Sequence, residues 1–284
     1  MDLIENQSEL DKRLIQINNN QSELDKRLIQ INNNLKNASE NLKDACSTLR
    51  ELSISPNYEF ADIHKNVVKH SFVYKQIIFP FAKDVVSCVR SFMDTYLYIT
   101  FQQFKADIEH IAGEAKEYKE CVSFTVKLHT EIQVDFKKEE DNIKRIMIQK
   151  NKENTMVQNL AVTKCNWIDD LEKLQSIINN FVTALMSVTS FFSEIEYQLR
   201  ALSSNVKAAN VHFIKFQNYA QNIVDYCREY IKIADNSKCD LEVINFEIKS
   251  DYLVQWLEIK CINVLDLEKH SKQLEILLPV MNKT

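Results

Sequence analysis

Apolar side chains recur alternately four and three residues apart from Trp167 to Ala234, without a break. This spacing places them along one face of an α-helix, whereas a half-buried strand would need a period of two. As a single helix the stripe would extend ~100 Å. We expect any bend at Ser203, Ser204 and Asn205, and the end of the helix at Asp235–Lys238.

Glycine and proline, the residues that most tight turns require, are scarce in this chain. Gly113 is the one glycine, and Pro56, Pro80 and Pro279 are the three prolines, among 284 residues. Sandwiches, barrels and doubly wound folds need such turns at short intervals, and a few long helices do not. Because the apolar pattern continues through Gly113, we interpret this glycine as a site of close helix packing and not as a turn.

Residues 6–19 and 20–33 are identical copies of NQSELDKRLIQINN. Each copy is two heptads long, so the duplication lengthens a coiled-coil helix without shifting its apolar seam. We predict a heptad helix over residues 1–52, ~75 Å from residue 3 to residue 52, that partly projects from the body. Gln21 interrupts the seam, either to set the register with a partner or because the rod meets water there. The predicted interaction seam consists of Leu10, Leu14, Ile17, Gln21, Leu24, Leu28 and Ile31.

The remaining chain, residues 53–284, predicts further long helices. Residues 58–79 have a helical pattern, which Pro80 should kink or divide. The pattern resumes at Phe81 and continues past Tyr96 as far as Phe136, and the charged residues 137–156 are interpreted as a solvated helix end. A final helix runs from Leu241 to Leu274. The predicted fold is therefore all-α: an elongated antiparallel bundle of about five long helices with coiled-coil-like packing.

Sequence signals for catalysis and metal binding are missing. One glycine excludes a phosphate-binding loop and a nucleophile elbow. The chain has no Glu-x-x-His and no His-Glu-x-x-His, and we interpret the acid–histidine pairs around His110 and His270 as solvated helix faces. We therefore predict a protein that is not an enzyme and has no catalytic, metal or cofactor site.

Charge and cysteine usage limit the partners and the compartment. The net charge of −5 comes without a basic stripe, which argues against nucleic acid. Seven scattered cysteines, the lack of a signal peptide and the lack of an uninterrupted apolar run near ~18 residues favour a cytoplasmic protein, with secretion by a non-standard route left open. Aromatic-rich stretches at 72–81, 92–104 and 181–192 could enter a membrane after rearrangement, but their spacing favours a bundle core.

Three segments resemble the all-helical pore-forming toxins of the cytolysin A and xenorhabdolysin type. They are VTSFFSEIEYQL at 188–199, IVDYCREY at 223–230 and VQWLEIK at 254–260, within a similarity over residues 35–265. The family-like core motif comprises Phe191, Phe192, Ile195, Leu199 and Trp256. The resemblance implies a helical rod with a membrane-inserting hairpin. That hairpin would fall at MVQNLAVTKCNW (156–167), which is too short to cross ~30 Å of hydrocarbon.

Two functional hypotheses follow from these patterns. The first is a non-enzymatic helical rod that binds a helical protein partner, or its own copy, through coiled-coil contacts. The alternative is a member or degenerate paralogue of the all-helical cytolysins that acts on membranes without its own insertion hairpin. A membrane-curving crescent dimer is a third, weaker hypothesis, because it needs a basic concave face that the acidic charge balance disfavours.

Overall fold

The computed structural model describes residues 2–54, 60–153, 158–244 and 251–270, and their side-chain surroundings except at 2–22, 24, 150–166, 264 and 268. Every element in these ranges is helical, as the apolar spacing predicts. The elements are α1 (Asp2–Ile54), α2 (Ala61–Val73), a π-helical turn (Tyr74–Ile78), α3 (Phe79–Tyr98), α4 (Phe101–Glu153), α5 (Gln158–Leu202), α6 (Val206–Glu242), α7 (Asp251–Ile259) and α8 (Val264–His270).

The helical run from Ala61 to Tyr98 passes through Pro80 without a break. Pro80 lies in the first turn of α3, directly after the π-helical turn. Proline lacks a backbone N–H, and its ring collides with the carbonyl four residues earlier. The extra residue of a π turn widens the helix at that point. Here the N–H of Phe79 donates to the carbonyl of Tyr74, so the predicted kink or division takes the form of a π turn inside a continuous run.

The chain reverses between α3 and α4, where the sequence pattern was expected to continue past Tyr96. Ile99 is extended, with ψ of 154°. The Thr100 N–H donates to Gln103 Oε1 over 2.8 Å, and the Gln103 N–H donates back to Thr100 Oγ1 over 3.3 Å. This reciprocal pair is a capping box, which starts a new helix and satisfies its first free N–H groups. Phe104 then folds back to within 5.5 Å of the Tyr96 ring.

A second reversal separates α5 from α6 at the predicted bend. Asn205 has φ of −127° and ψ of 93°, and its side chain accepts a hydrogen bond from the Ala208 N–H. The long stripe therefore forms two helices that face each other, with the rings of Phe191 and Phe216 6.1 Å apart. The predicted end of α6 at Asp235–Lys238 is too early. The helix continues to Glu242 because Ser237 and Leu241 are buried against the core.

Ion pairs between helices show how the long elements lie against one another. Residues late in α4 contact residues early in α5, so these two helices run in opposite directions. The same holds for α3 and α6, because residues late in α3 contact residues early in α6. By contrast, α1 and α6 run in the same direction, because Asp25 pairs with Lys215 and Arg50 with Asp240. The pairs are Lys144–Glu172 at 2.7 Å, Lys119–Glu196 at 3.7 Å, Lys83–Asp235 at 2.5 Å, Asp25–Lys215 at 2.6 Å and Arg50–Asp240 at 3.8 Å.

One hydrophobic core runs through α1 to α8. The second half of α1, from Leu28 to Leu52, belongs to it, so the core continues across the boundary that the sequence suggested at residue 52. Its centre is aromatic, where the ring of Phe92 lies 5.4 Å from Phe192 and the ring of Tyr96 stacks 4.5 Å from Phe216. Such ring pairs add about 0.5–1.5 kcal/mol beyond the burial of their area.

The predicted final helix, Leu241 to Leu274, is interrupted. Its first residues, Leu241 and Glu242, are the end of α6, and the described residues stop at Ile244 and resume at Asp251. Further along, α7 and α8 are separated by Cys261, whose φ of 51° is left-handed. The Ile262 N–H donates to the Leu257 carbonyl over 2.9 Å and the Cys261 N–H to that of Glu258 over 3.0 Å. This is a Schellman motif, in which the left-handed position usually carries glycine. Residues beyond His270, including Leu274, lie outside the described residues.

Gly113 lies inside α4 and is not a turn, as predicted, but the interpretation as close packing is wrong for the described residues. A Cβ atom added at Gly113 would meet nothing within 4 Å. The position faces a groove between α3 and α4.

Candidate functional site

The predicted interaction seam divides into two parts along α1. Leu10, Leu14, Ile17, Gln21 and Leu24 lie in α1, but their side-chain surroundings are outside the described residues. Leu28 and Ile31 are 0% and 1% exposed. Neighbouring contacts are Asp25 with Lys215 of α6 and Gln30 with Ser187 of α5, at 2.6 and 3.1 Å. The seam positions Leu28 and Ile31 of the second copy are thus already covered by the chain's own helices.

A buried polar cluster joins α2, α4 and α7, and we refer to it as the Asp135 cluster. Asp135 and Glu139 lie one turn apart on α4, and His70 of α2 faces both carboxylates, at 4.0 and 3.7 Å. From the other side, Trp256 Nε1–H donates to Asp135 Oδ2 over 2.7 Å and Lys260 Nζ to Asp135 Oδ1 over 2.8 Å. A buried carboxylate is tolerated only with such partners.

Further contacts complete the Asp135 cluster. Lys260 also pairs with Glu131 at 3.3 Å, one turn before Asp135. The Tyr252 hydroxyl lies 3.5 Å from His70 Nδ1, and Lys69 lies over the Tyr252 ring at 5.1 Å. Burial, followed by the charges of Asp135 and Glu139, raises the pKa of Tyr252 to about 12. The phenol therefore stays protonated and can donate to His70.

Glu139 is only 2% exposed, although it belongs to the stretch predicted as a solvated helix end. Burial is the strongest influence and raises its pKa, but the facing His70 and the Asn142 amide outweigh burial and hold the pKa below its usual value. Asn66 and Asn142 donate to its two oxygens over 3.3 and 3.2 Å. The prediction of solvation is thus wrong at Glu139, because tertiary partners replace water.

Glu140, the next residue, is buried on the other side of α4 at 1% exposure. Lys137 donates to it over 2.8 Å, and Lys144 and Gln175 donate to its two oxygens. Burial raises its pKa, but the contacts with Lys137, Lys144 and Gln175 together lower it. Because Gln175 belongs to α5, Glu140 fixes the α4–α5 contact much as Glu139 fixes the α2–α4 contact.

The Asp135 cluster joins α7 to α2 and α4 through hydrogen bonds and ion pairs. Cavities of 860, 590 and 480 Å³ in the described structure are lined by other residues. Among the described residues no group of three histidines, cysteines or carboxylates could hold a metal ion. The charged side chains instead pair with one another across helix contacts. Removing one member of such a buried pair is costly, because the other charge stays buried without a partner.

Sequence reasoning missed this cluster, although one signal was present. Glu131, Asp135 and Glu139 recur every four residues and so share one face of α4. Trp256 and Lys260 have the same spacing on the segment that covers them. Nothing in the local sequence, however, indicates that these two faces meet. Trp256 and Lys260 are 121 and 125 residues away from Asp135 along the chain.

The residues of the family-like motif all lie in the core. Phe191, Phe192, Ile195 and Leu199 are fully buried on α5, and Trp256 is 2% exposed. Four residues, 154–157, lie between α4 and α5. No family model, curated protein or solved structure matches this chain.

One helix among the described residues, Trp167–Leu202, is long and apolar enough to cross a membrane by length and composition. Its most apolar window has a mean hydropathy of 1.2, and 39% of that window is buried. Although the helix has no uninterrupted apolar run, uncharged Ser, Thr and Asn between the apolar residues keep the average high. Core helices of soluble proteins have the same composition, so this is weak evidence for a membrane span.

Proposed function

We propose that this chain is a non-enzymatic helical rod that binds another helix through the amino-terminal part of α1. The body would be an elongated antiparallel bundle of five long segments: α1, the run from α2 to α3, α4, α5 and α6. Segments of up to 53 residues, at 1.5 Å per residue, favour such a rod.

The observation that carries the proposal is that α6 begins well after the first residue of α1, so the first turns of α1 have no α6 beside them. Asp25 lies beside Lys215, and α6 begins nine residues before Lys215, at Val206. Because α1 and α6 run in the same direction, α6 begins level with about residue 16 of α1. A straight α1 would therefore extend about 20 Å beyond the α5–α6 turn.

The duplicated sequence indicates what that extension offers. The second copy buries Leu28 and Ile31 completely on this chain's own helices. The first copy carries the same residues, Leu14 and Ile17, in an identical sequence context, at the level where α5 ends and α6 begins. An apolar seam that continues beyond its own bundle fits a coiled-coil partner, which is either a second copy of this chain or a helix of another protein.

Sedimentation velocity over a range of protein concentrations tests this proposal. We expect the full chain to associate and the double variant Leu10→Asp/Ile17→Asp to remain monomeric, because charges in the seam oppose burial. The matched control, Gln16→Asp/Asn19→Asp, adds the same charges outside the seam and should associate like the parent. A parent chain that stays monomeric and retains no protein from a lysate would contradict the proposal.

A second candidate function, membrane action of the cytolysin type, is supported by one observation, the membrane-like composition of α5. It would require α5 to leave a core in which Phe191 and Phe192 are fully buried. Dye release from liposomes and red cells, with the chain alone and with candidate partner proteins, tests this function. Leakage would support it, and its absence under all these conditions would count against it.

A further inference from the structure

A groove of 860 Å³ lies between α3 and α4, at the end of the bundle face covered by α8. We refer to it as the α3–α4 groove. Its α3 side includes Asp84, Ser87, Cys88 and Ser91, its α4 side includes Gly113, Glu114, Lys116, Glu117, Tyr118, Glu120 and Cys121, and its entrance is formed by Lys269 and His270.

The chain approaches this groove along α4. Lys260 pairs with Glu131, and Lys127 reaches the Cys261 carbonyl over 3.3 Å. About two turns further along α4, Lys269 pairs with Glu120 at 2.9 Å, and the His270 ring lies 5.4 Å from that of Phe124. The segment from α7 to α8 thus runs along α4 from Asp135 to Glu120, and its last described residues, Lys269 and His270, line the groove.

Residues 271–284, SKQLEILLPVMNKT, have the composition of a segment that covers such a groove. Six of the fourteen are large apolar residues: Leu274, Ile276, Leu277, Leu278, Val280 and Met281. From Cys121 to Gly113 the groove follows eight residues of α4, about 12 Å, and fourteen residues span about 20 Å even as a helix. The segment is therefore long enough to fill the groove.

Charge and the single glycine of the chain favour the same occupant. The groove is lined by the acids Asp84, Glu114, Glu117 and Glu120 against two lysines, Lys116 and Lys269, so acidic residues are in excess. Residues 271–284 have the opposite balance, with Lys272 and Lys283 against one acid, Glu275. A glycine inside a helix costs about 0.5–1 kcal/mol relative to alanine, and it usually occurs where another backbone comes close. At Gly113 the described residues leave that space open, so a covering segment would supply the missing neighbour.

We propose that the α3–α4 groove, which extends from His270 to Gly113 and has an acidic rim, is the docking site of the chain's own residues 271–284. Docking places the apolar side chains of the segment over Tyr118, Cys88 and Cys121 and its backbone against Gly113. It closes the bundle face that α7 and α8 cover only in part. This assignment is independent of the interaction proposed for α1.

Amide hydrogen exchange of the full chain, measured by mass spectrometry, tests the assignment. We expect amides within 272–281 to exchange at least about tenfold more slowly than a free peptide of the same sequence. Gly113→Trp fills the groove and should return them to the free rate, whereas Gly113→Ala should leave them protected. Val134→Trp adds the same ring on an exposed site of α4 outside the groove and should also leave them protected.

Leu274→Asp/Leu277→Asp changes only the segment, so it tests docking without altering the groove, and it should abolish the protection. Free-peptide exchange rates in the parent chain would overturn the proposal. Protection that survives Gly113→Trp would place the segment elsewhere and would also overturn it. Protection that rises with protein concentration would assign the groove to the segment of a second copy, against the intramolecular docking proposed here.

Discussion

The indole N–H of Trp256 donates a 2.7 Å hydrogen bond to Asp135, and this bond attaches α7 to the middle of α4. The other Asp135 oxygen accepts from Lys260, whose side chain is only 11% exposed. Two elements more than a hundred residues apart are therefore joined by one carboxylate.

Neutralising that carboxylate should destabilise the protein. We expect Asp135→Asn to lower the free energy of unfolding by about 2 kcal/mol, since the largely buried ammonium of Lys260 loses the nearer of its two charged partners and keeps only Glu131. Urea denaturation followed by circular dichroism measures the change. The matched control is Asp141→Asn on the same helix, where the side chain is 61% exposed and pairs with Lys137, so the loss should stay below about 0.5 kcal/mol. Equal losses would show that the Asp135 contacts add nothing.

Two buried histidines predict a loss of stability in mild acid. Burial lowers the pKa of His129 to about 4, and burial followed by the charge of Lys215 lowers that of His212 to about 3. Unfolding returns each ring to a pKa near 6.5, so below that pH the unfolded chain binds more protons. Each histidine should therefore remove about 2 kcal/mol of stability between pH 7 and pH 5.

Denaturation at a series of pH values checks this prediction. His212→Phe keeps an aromatic ring beside Tyr96 and Phe216 and should reduce the loss of stability between pH 7 and pH 5 by about half, because His129 remains. Glu139 and Glu140 act in a separate window, because carboxylates with lowered pKa values lose their contribution only as the pH falls below about 4.5. An unchanged slope in His212→Phe would be inconsistent with a neutral buried His212.

The repeat offers a comparison of one substitution in two identical contexts. Leu28→Ala should cost about 2–5 kcal/mol of unfolding free energy, because Leu28 is fully buried between α1 and the body. Leu14→Ala should cost less than about 1 kcal/mol in the monomer and should instead weaken self-association or partner binding. Thermal denaturation at low protein concentration, together with sedimentation, separates the two effects. Similar losses of monomer stability would show that both copies pack on the body.

Replacing Cys261 by glycine should stabilise the protein. Cys261 occupies the left-handed position of the Schellman motif, where a residue with a Cβ atom is strained by about 1 kcal/mol. Its side chain is exposed, so the substitution loses no packing. We expect Cys261→Gly to raise the midpoint of thermal unfolding, whereas Cys239→Gly, an exposed cysteine inside α6, should lower it.

The helical class of the fold could be predicted because its cause is local. The apolar stripe from Trp167 to Ala234 has the period of an α-helix, and all its members are buried except Leu202 and Val206, which lie beside the α5–α6 reversal. Helix ends were less predictable. The Thr-x-x-Gln spacing of the capping box at Thr100 and Gln103 is present in the sequence but was missed. The reason is that the helical spacing of apolar residues can continue on both sides of a turn.

The candidate site could not be predicted, since it depends on which faces meet. Glu139 and Glu140 lie in a strongly charged stretch, where solvation is the ordinary expectation. His70, Asn142, Lys144 and Gln175 replace water there, and two of the four belong to α2 and α5, which the local sequence of α4 does not show to be its neighbours. Gly113 shows the opposite error, since a position interpreted as closely packed faces a groove.

The sequence by itself therefore determined that the chain forms long amphipathic helices, since periodicity and the scarcity of glycine and proline act within a few residues. Only the tertiary structure decided that α3 and α4 are separate helices, which charges are buried and where a groove lies between α3 and α4. These features depend on contacts between residues far apart in the chain, such as Trp256 and Asp135, and the free energy of such contacts exists only after the helices have packed.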